Sequence, residues 1–190
     1  VVERYGIEPH FQHELIEVRG EAREAVFRVV APDGSISERV EPYDFLHVTP
    51  PQAPPEVVRQ SAIANAEGWV EADPATLQHP RYPHVFTLGD ASGSPNAKTG
   101  AAVRKQAPVV VENLLAHRRG DATLPATYNG YASCPLVTSY NGLILAEFDY
   151  ENRPDPSFPF DTTKERRSMY WMKRWLLPFL YWQGMLKGRA

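Results

Sequence analysis

The chain has 190 residues, 43% hydrophobic and 23% charged, with a formal net charge of −3. That length supports one or two hydrophobic cores, and a single cysteine excludes an intrachain disulfide scaffold. No nucleic-acid partner is expected.

The N-terminus, VVERYGIEPHFQH, lacks the basic head and apolar run of a secretory signal. It opens without Met inside what reads as a helix, so the expectation is a fragment whose N-terminal part is missing. Residues 1–48 read as that helix end followed by strands at 11–19, 25–30 and 36–40, with a turn at Pro32-Asp33-Gly34-Ser35. Residues 43–48 are apolar enough for a buried strand. This looks like the closing meander of an α/β domain. Residues 49–120 begin with a Pro-rich crossing, then a short helix around 57–66 and a strand at 69–72. Next comes HVFTLGDASGSPNAKTGAAVRKQAPVVVENLL, read as strand, acidic turn, loop and helix. The apolar run Val85-Phe86-Thr87-Leu88 ends at Gly89-Asp90, and a helix starts near Thr99. Residues 121–163 hold Tyr131-Ala132-Ser133-Cys134-Pro135, then strands 136–138 and 143–148 around an Asn141-Gly142 turn, then a Pro-rich linker. Residues 164–190 are expected to be a helical tail with a break at Pro178.

A strand that delivers a carboxylate beside a helix N-terminus suits a nucleotide cofactor. The helix end offers N–H groups and partial positive charge to phosphate, and the carboxylate accepts from a sugar or ribityl hydroxyl. Gly89 and Asp90, with Lys98 and Thr99 at the helix mouth, are therefore the cofactor-binding candidates. The same pattern fits an ordinary corner with Asp90 as a cap and Lys98 as a solvated lysine. Residues 93–100 are not a phosphate-binding loop of the G-x-x-x-x-G-K-[ST] type, because Lys98 precedes Thr-Gly. No G-x-G-x-x-G occurs, so the phosphate-gripping half of a dinucleotide site is absent from this chain. Cys134 reads either as a small buried apolar residue or as a redox thiol. The redox role needs a second cysteine or a cofactor nearby. The six histidines show no ligand pattern, and no metal is expected.

Charge is uneven. Residues 164–190 carry seven basic residues and one acidic, a net of +6 that leaves −9 for the rest. The tail, SMYWMKRWLLPFLYWQGMLK, has apolar runs too short to span a bilayer of ~30 Å. Trp and Tyr flanking Leu-rich runs, with Lys and Arg between, fit a helix lying in the membrane interface. Packing of the aromatics on a domain is the alternative.

Several segments resemble sulfide:quinone oxidoreductases. They are FLHVTPP, GWV, TLQH, VFTLGD, NAKTGAAV, YASCPLVT, LAEFDY and KERRSMY, and they cover nearly the whole chain. The resemblance implies an α/β, partial FAD/NAD(P)-binding Rossmann-like fold with a C-terminal amphipathic membrane-binding tail. Residues 1–48 would end a second nucleotide-binding-like domain and 49–120 would belong to the FAD-binding domain. It implies FAD as cofactor, with Asp90 at its ribityl and pyrophosphate region and Lys98 at its isoalloxazine. Cys134 would be the second of two redox cysteines. Sulfide would attack a cysteine disulfide or trisulfide bridge and form a persulfide, the released thiolate would pass two electrons to the flavin and on to ubiquinone or menaquinone, and sulfur would leave to an unidentified acceptor. Phe158, Phe160 and Tyr181 are the candidates for a quinone pocket. The location implied is peripheral, on a bacterial or mitochondrial inner membrane, with a homo-oligomer possible. Two other readings compete: a type II NADH:quinone dehydrogenase-like flavoenzyme, against which the Ser-Cys-Pro-Leu-Val context argues, and a non-catalytic membrane-docking module.

Overall fold

A computed structural model describes residues 1–95 and 98–189. Asn96 and Ala97, part of the loop motif above, lie outside the described residues, as does Ala190. The chain divides into two compact units, Val1–Gln52 and Ala53–Ala190.

The first unit opens with a single helical turn, α1 (Val2–Tyr5), and continues as β1 (His13–Arg19), β2 (Glu24–Val30) and β3 (Ile36–Pro42). The strands form an antiparallel meander in the order β1-β2-β3, with a bulge in β1 between Leu15 and Glu17. Ala25 and Val26 on the central strand are buried, as central-strand residues should be. Charges line the exposed face: Arg28 pairs with Glu14 across strands, and Arg19 with Glu17 and Glu24. The meander expected at 1–48 is thus present, with one correction. Residues 43–48 form no strand; the Tyr43 amide reaches the Arg23 carbonyl at 2.9 Å, and Phe45 is 86% exposed. Apolar character there has no neighbouring strand to pair with.

The second unit begins with extended Pro-rich chain. The helix expected at 57–66 stops after one turn, α2 (Glu56–Arg59). Local side-chain bonds end it: the Ser61 hydroxyl donates to the Val58 carbonyl at 2.6 Å, and the Asn65 side chain accepts from the amides of Glu67 and Trp69. The strands expected at 69–72 and 85–88 reduce to isolated bridges. Val70 pairs antiparallel with Ala64 and parallel with Ser92, and Phe86 pairs with Gln78. Both segments are extended, yet neither has a continuous ladder among the described residues.

The long helix starts where expected. In α3 (Gly100–Arg119) the Thr99 hydroxyl caps the first turn by accepting from the Ala102 amide at 3.2 Å. The C-terminal turn carries His117, Arg118 and Arg119, favourable at the negative end of the helix dipole. Its buried face is Ala102, Gln106, Asn113 and Ala116. Asn113, wholly buried, donates to the carbonyls of Thr76 and Ala126 and accepts from the Ala126 amide, tying two loops to the helix. Leu77, Tyr128 and Tyr131 form the adjoining core, joined by Ala101, Val109, Val110 and Tyr150.

The hairpin β4 (Ala132–Ser139) and β5 (Gly142–Phe148) follows. Its strands are longer than expected, and Cys134 lies within β4, opposite Ala146, not ahead of it. Leu143 and Leu145 face a second core with Met169, and Phe158 and Phe160 pack on it. The tail is helical from Arg167 to Gln183: α4 (Arg167–Trp171), a π-helical stretch Met172–Leu176, and α5 (Leu177–Gln183). The break expected at Pro178 is instead this wide turn. A proline has no amide hydrogen and its ring crowds the carbonyl four residues back, so the ladder upstream re-pairs instead of stopping.

Candidate functional site

Gly89-Asp90-Ala91 forms a 3₁₀ turn between the bridged segment and the loop leading to α3. Gly89 has φ +65°, and a Cβ there would lie 3.1 Å from a methyl of Val103, so the turn requires glycine. The buried Gly89 amide donates to the Gln106 carboxamide of α3 at 2.9 Å. This bond locks the turn onto the helix beside its N-terminus. Gln106 also hydrogen-bonds Tyr128, whose phenol is pushed up to about 12 mainly by burial.

Asp90 is exposed on this turn. Lys98 is drawn inward: its ammonium sits 4.0 Å from the centre of the Trp69 ring and donates to the Ser92 carbonyl. Burial lowers the Lys98 pKa, and the nearby Asp90 charge opposes that shift. Gly89, Asp90, Lys98 and Thr99 therefore gather at one corner, at the positive end of α3. An accessible carboxylate can accept from a hydroxyl, and a partly desolvated ammonium and a helix N-terminus present positive charge. Sequence reasoning missed the supports of this corner, Gln106, Trp69 and Ser92: Trp69 lies in the GWV segment and the other two within the 84–115 stretch, but their role lies in contacts and not in residue type.

Cys134 is a free thiol of intermediate exposure. Its strand packs against α3, whose N-terminus forms the corner. The hairpin's polar centre is Tyr131, Glu147 and Ser157. The Tyr131 hydroxyl donates to Glu147 Oε1 at 2.7 Å, the Ser157 amide donates to the same oxygen at 3.1 Å, and the Ser157 hydroxyl donates to the Tyr131 oxygen. Burial, then the bond to Glu147, raises the Tyr131 pKa. Sequence reading passed over Glu147. Its signal was register, since it falls on the inward face of β5 with Leu143 and Leu145.

Phe158 and Phe160 stack, with centroids 5.2 Å apart and planes at 26°. They line an open cleft of about 600 Å³ together with Leu145, Glu147, Phe148 and Pro156. Tyr181 is not among its walls; it lies on α5, edge-on to Trp182. On the tail, Met169 is buried, whereas Trp171, Trp175, Phe179 and Trp182 are 58–64% exposed. No helix among the described residues is long and apolar enough to cross a membrane, and no cluster of metal-ligating side chains occurs among them.

No family model matches the chain. In sequence it is similar to sulfide:quinone oxidoreductases, and the resemblance drawn from its motifs holds along almost its whole length. It is 44% identical to the mitochondrial sulfide:quinone oxidoreductase of Mus musculus over 99% of this chain and 41% of that protein. The mitochondrial enzyme of Dictyostelium discoideum is 45% identical over 97% of this chain and 40% of its own length. For Schizosaccharomyces pombe the values are 44%, 94% and 39%. The chain thus spans about two-fifths of the length of these relatives. In structure it is similar to a chain in the cryo-EM structure of the Tetrahymena thermophila mitochondrial ATP synthase F1Fo tetramer. The TM-score is 0.70 with 27% identity, over 98% of this chain and 42% of that one.

Proposed function

We propose that this chain supplies the cysteine-bearing, flavin-facing and membrane-facing portion of an enzyme that oxidises sulfide and passes the electrons to a membrane quinone. The observation that carries the reading is 44–45% identity, over 94–99% of the chain, to three proteins of that name. On this reading residues 49–120 complete an FAD-binding, Rossmann-like domain. Asp90 would accept from a ribityl hydroxyl, the N-terminus of α3 would face the pyrophosphate charge, and Lys98 would serve the isoalloxazine side. Bound FAD supplies a two-electron acceptor. Cys134, of intermediate exposure on its strand, would be one sulfur of a bridge to a second cysteine elsewhere in the protein. Sulfide would attack that bridge, one cysteine would become a persulfide and the other would leave as a thiolate, whose electron pair bound FAD would accept. Phe158 and Phe160 contribute to the quinone side, and the exposed tail rings rest in the interface of a mitochondrial inner membrane.

The test is sulfide-dependent bleaching of flavin absorbance in the protein carrying this chain. Bleaching is expected in the wild type and lost in Cys134→Ser with flavin still bound. Undiminished bleaching in that variant refutes the role of Cys134.

The likeness to a chain of an ATP synthase assembly favours a second reading, in which this fold serves as a non-catalytic membrane-docking module. That reading predicts liposome binding with no sulfide-dependent bleaching in any variant.

A further inference from the structure

His79 is wholly buried, and both of its ring nitrogens are engaged. Nδ1 faces the amides of Arg81 at 3.0 Å and Tyr82 at 3.2 Å. Two N–H groups aimed at one nitrogen require an acceptor, so Nδ1 carries no hydrogen. The ring hydrogen is therefore on Nε2, which donates to the Ile63 carbonyl at 3.1 Å. The carboxylate of Glu71 stands farther off, 4.0 Å from Nε2, and is held by Arg81.

Two segments of the corner meet at this ring. On one side the His79 amide donates to the Val85 carbonyl and the Thr87 amide to the Leu77 carbonyl, and this short hairpin runs directly into Gly89-Asp90. On the other side Ile63 leads into the segment carrying Trp69, the ring against which the Lys98 ammonium rests. The Ile63 carbonyl also accepts from the Glu71 amide, which folds that segment back beside itself. The Val70 amide joins the same two segments again, donating to the Ala91 carbonyl at 2.9 Å. A joint held at two points has a fixed angle as well as a fixed distance, and the Nε2 bond is one of the two points. We propose that His79 is the positioning residue of the corner: by donating from Nε2 to the Ile63 carbonyl it sets the seat of Lys98 relative to Asp90. The proposal deepens the flavin reading, and only the flavin measurement below rests on that reading.

The test compares His79→Asn and His79→Gln in the protein carrying this chain. The Asn oxygen can replace Nδ1 as acceptor for the Arg81 and Tyr82 amides but does not reach Ile63. The Gln amide can replace Nε2 as donor to Ile63 but leaves those two amides unpaired. The readout is the rate of Lys98 acylation in flavin-free protein, followed by mass spectrometry. His79→Asn should free the ammonium and raise the rate by up to about tenfold, the worth of one hydrogen bond, while His79→Gln should stay within about twofold of the wild type. Leu143→Ala, in the separate core with Leu145 and Met169, should lower Tm and leave the rate unchanged. An unmoved rate in His79→Asn overturns the proposal, and so does an equal rise in His79→Gln or Leu143→Ala. If neither His79 variant folds, nitrogen NMR of the wild-type ring decides: the Nε2–H tautomer is expected, and Nδ1–H overturns the proposal. Flavin retention, measured on the same samples, should fall in His79→Asn. Retention unaffected by Asp90→Asn would instead sink the flavin reading, with the Lys98 rates still deciding the role of His79.

Discussion

Replacing Gln106 by Leu removes the bond that joins the Gly89 turn to α3. The Gly89 amide is buried, and Leu leaves it with no acceptor at a distance where Gln106 now stands 2.9 Å away. The Tyr128 oxygen loses its bond to the same side chain. A stranded buried polar group costs about 1–3 kcal/mol, and the Gly89 amide is the group left stranded, since the Tyr128 hydroxyl still donates to the Tyr131 carbonyl; about 3 kcal/mol is the upper end expected. For a domain of this size about 1 kcal/mol moves the midpoint by about 2–4 °C, giving at that upper end a fall in Tm of roughly 6–12 °C by calorimetry. Gln106→Glu keeps an acceptor for Gly89 and loses only the donor to Tyr128, so a smaller effect is expected. The flavin content of the purified Leu variant should fall as well, because the turn carries Asp90. A Leu variant that melts within about 1 °C of the wild type would show that the turn does not depend on this bond.

Three further outcomes are expected. Asp73 accepts from the Thr76 and Ala75 amides and the Thr76 hydroxyl, which holds its carboxyl below the usual carboxylate range. Its folded pKa is depressed, so its share of stability is present above the unfolded pKa and lost as pH falls through the folded one. Asp73→Asn should remove that share of the acid transition below about pH 4, read by a pH titration of unfolding. The charge of Asp90 opposes the fall in the Lys98 pKa. Asp90→Asn should lower it further and speed acylation of Lys98 at mildly alkaline pH, measured by mass spectrometry; an unchanged rate counts against the coupling. Trp171, Trp175 and Trp182 are exposed, while Met169 on the same tail is buried in a core. Replacing the three tryptophans by Ser should release the protein from anionic liposomes without loss of Tm, and continued co-sedimentation would sink the interfacial assignment. Truncation from Ser168 is a poorer test, because it removes Met169 as well.

Features that a residue enforces on its own neighbours were legible in the sequence. Thr99 caps a helix wherever the next residues are helical, and a hairpin does close next to Asn141-Gly142, although its turn is Tyr140-Asn141 and Gly142 already belongs to β5. Strands are different, because a ladder belongs to two segments. Residues 43–48, 69–72 and 85–88 have the apolar content of strands but meet only single bridges or none. The helix expected at 57–66 failed for a local reason that composition hides, the choice of Ser61 and Asn65 to bond nearby backbone. At the candidate site, charged and sulfur-bearing residues drew notice because their chemistry is rare. Gln106 and Glu147 went unnoticed because their meaning is burial, and burial is not written in a residue's type.

The π-helical stretch Met172–Leu176 sets the angular phase of the tail. A wide turn accommodates one residue more than an α-turn of the same height, and each residue in an α-helix advances the face by about 100°. Trp171 precedes the wide turn, Trp175 lies within it, and Phe179 and Trp182 follow it, so the extra residue sets the angle between the rings on either side. Deleting one residue from Met172–Leu176 would regularise the helix and turn its two halves out of phase. The segment that looks like a defect in hydrogen bonding thus acts as a rotational spacer, tolerant of sequence but not of length.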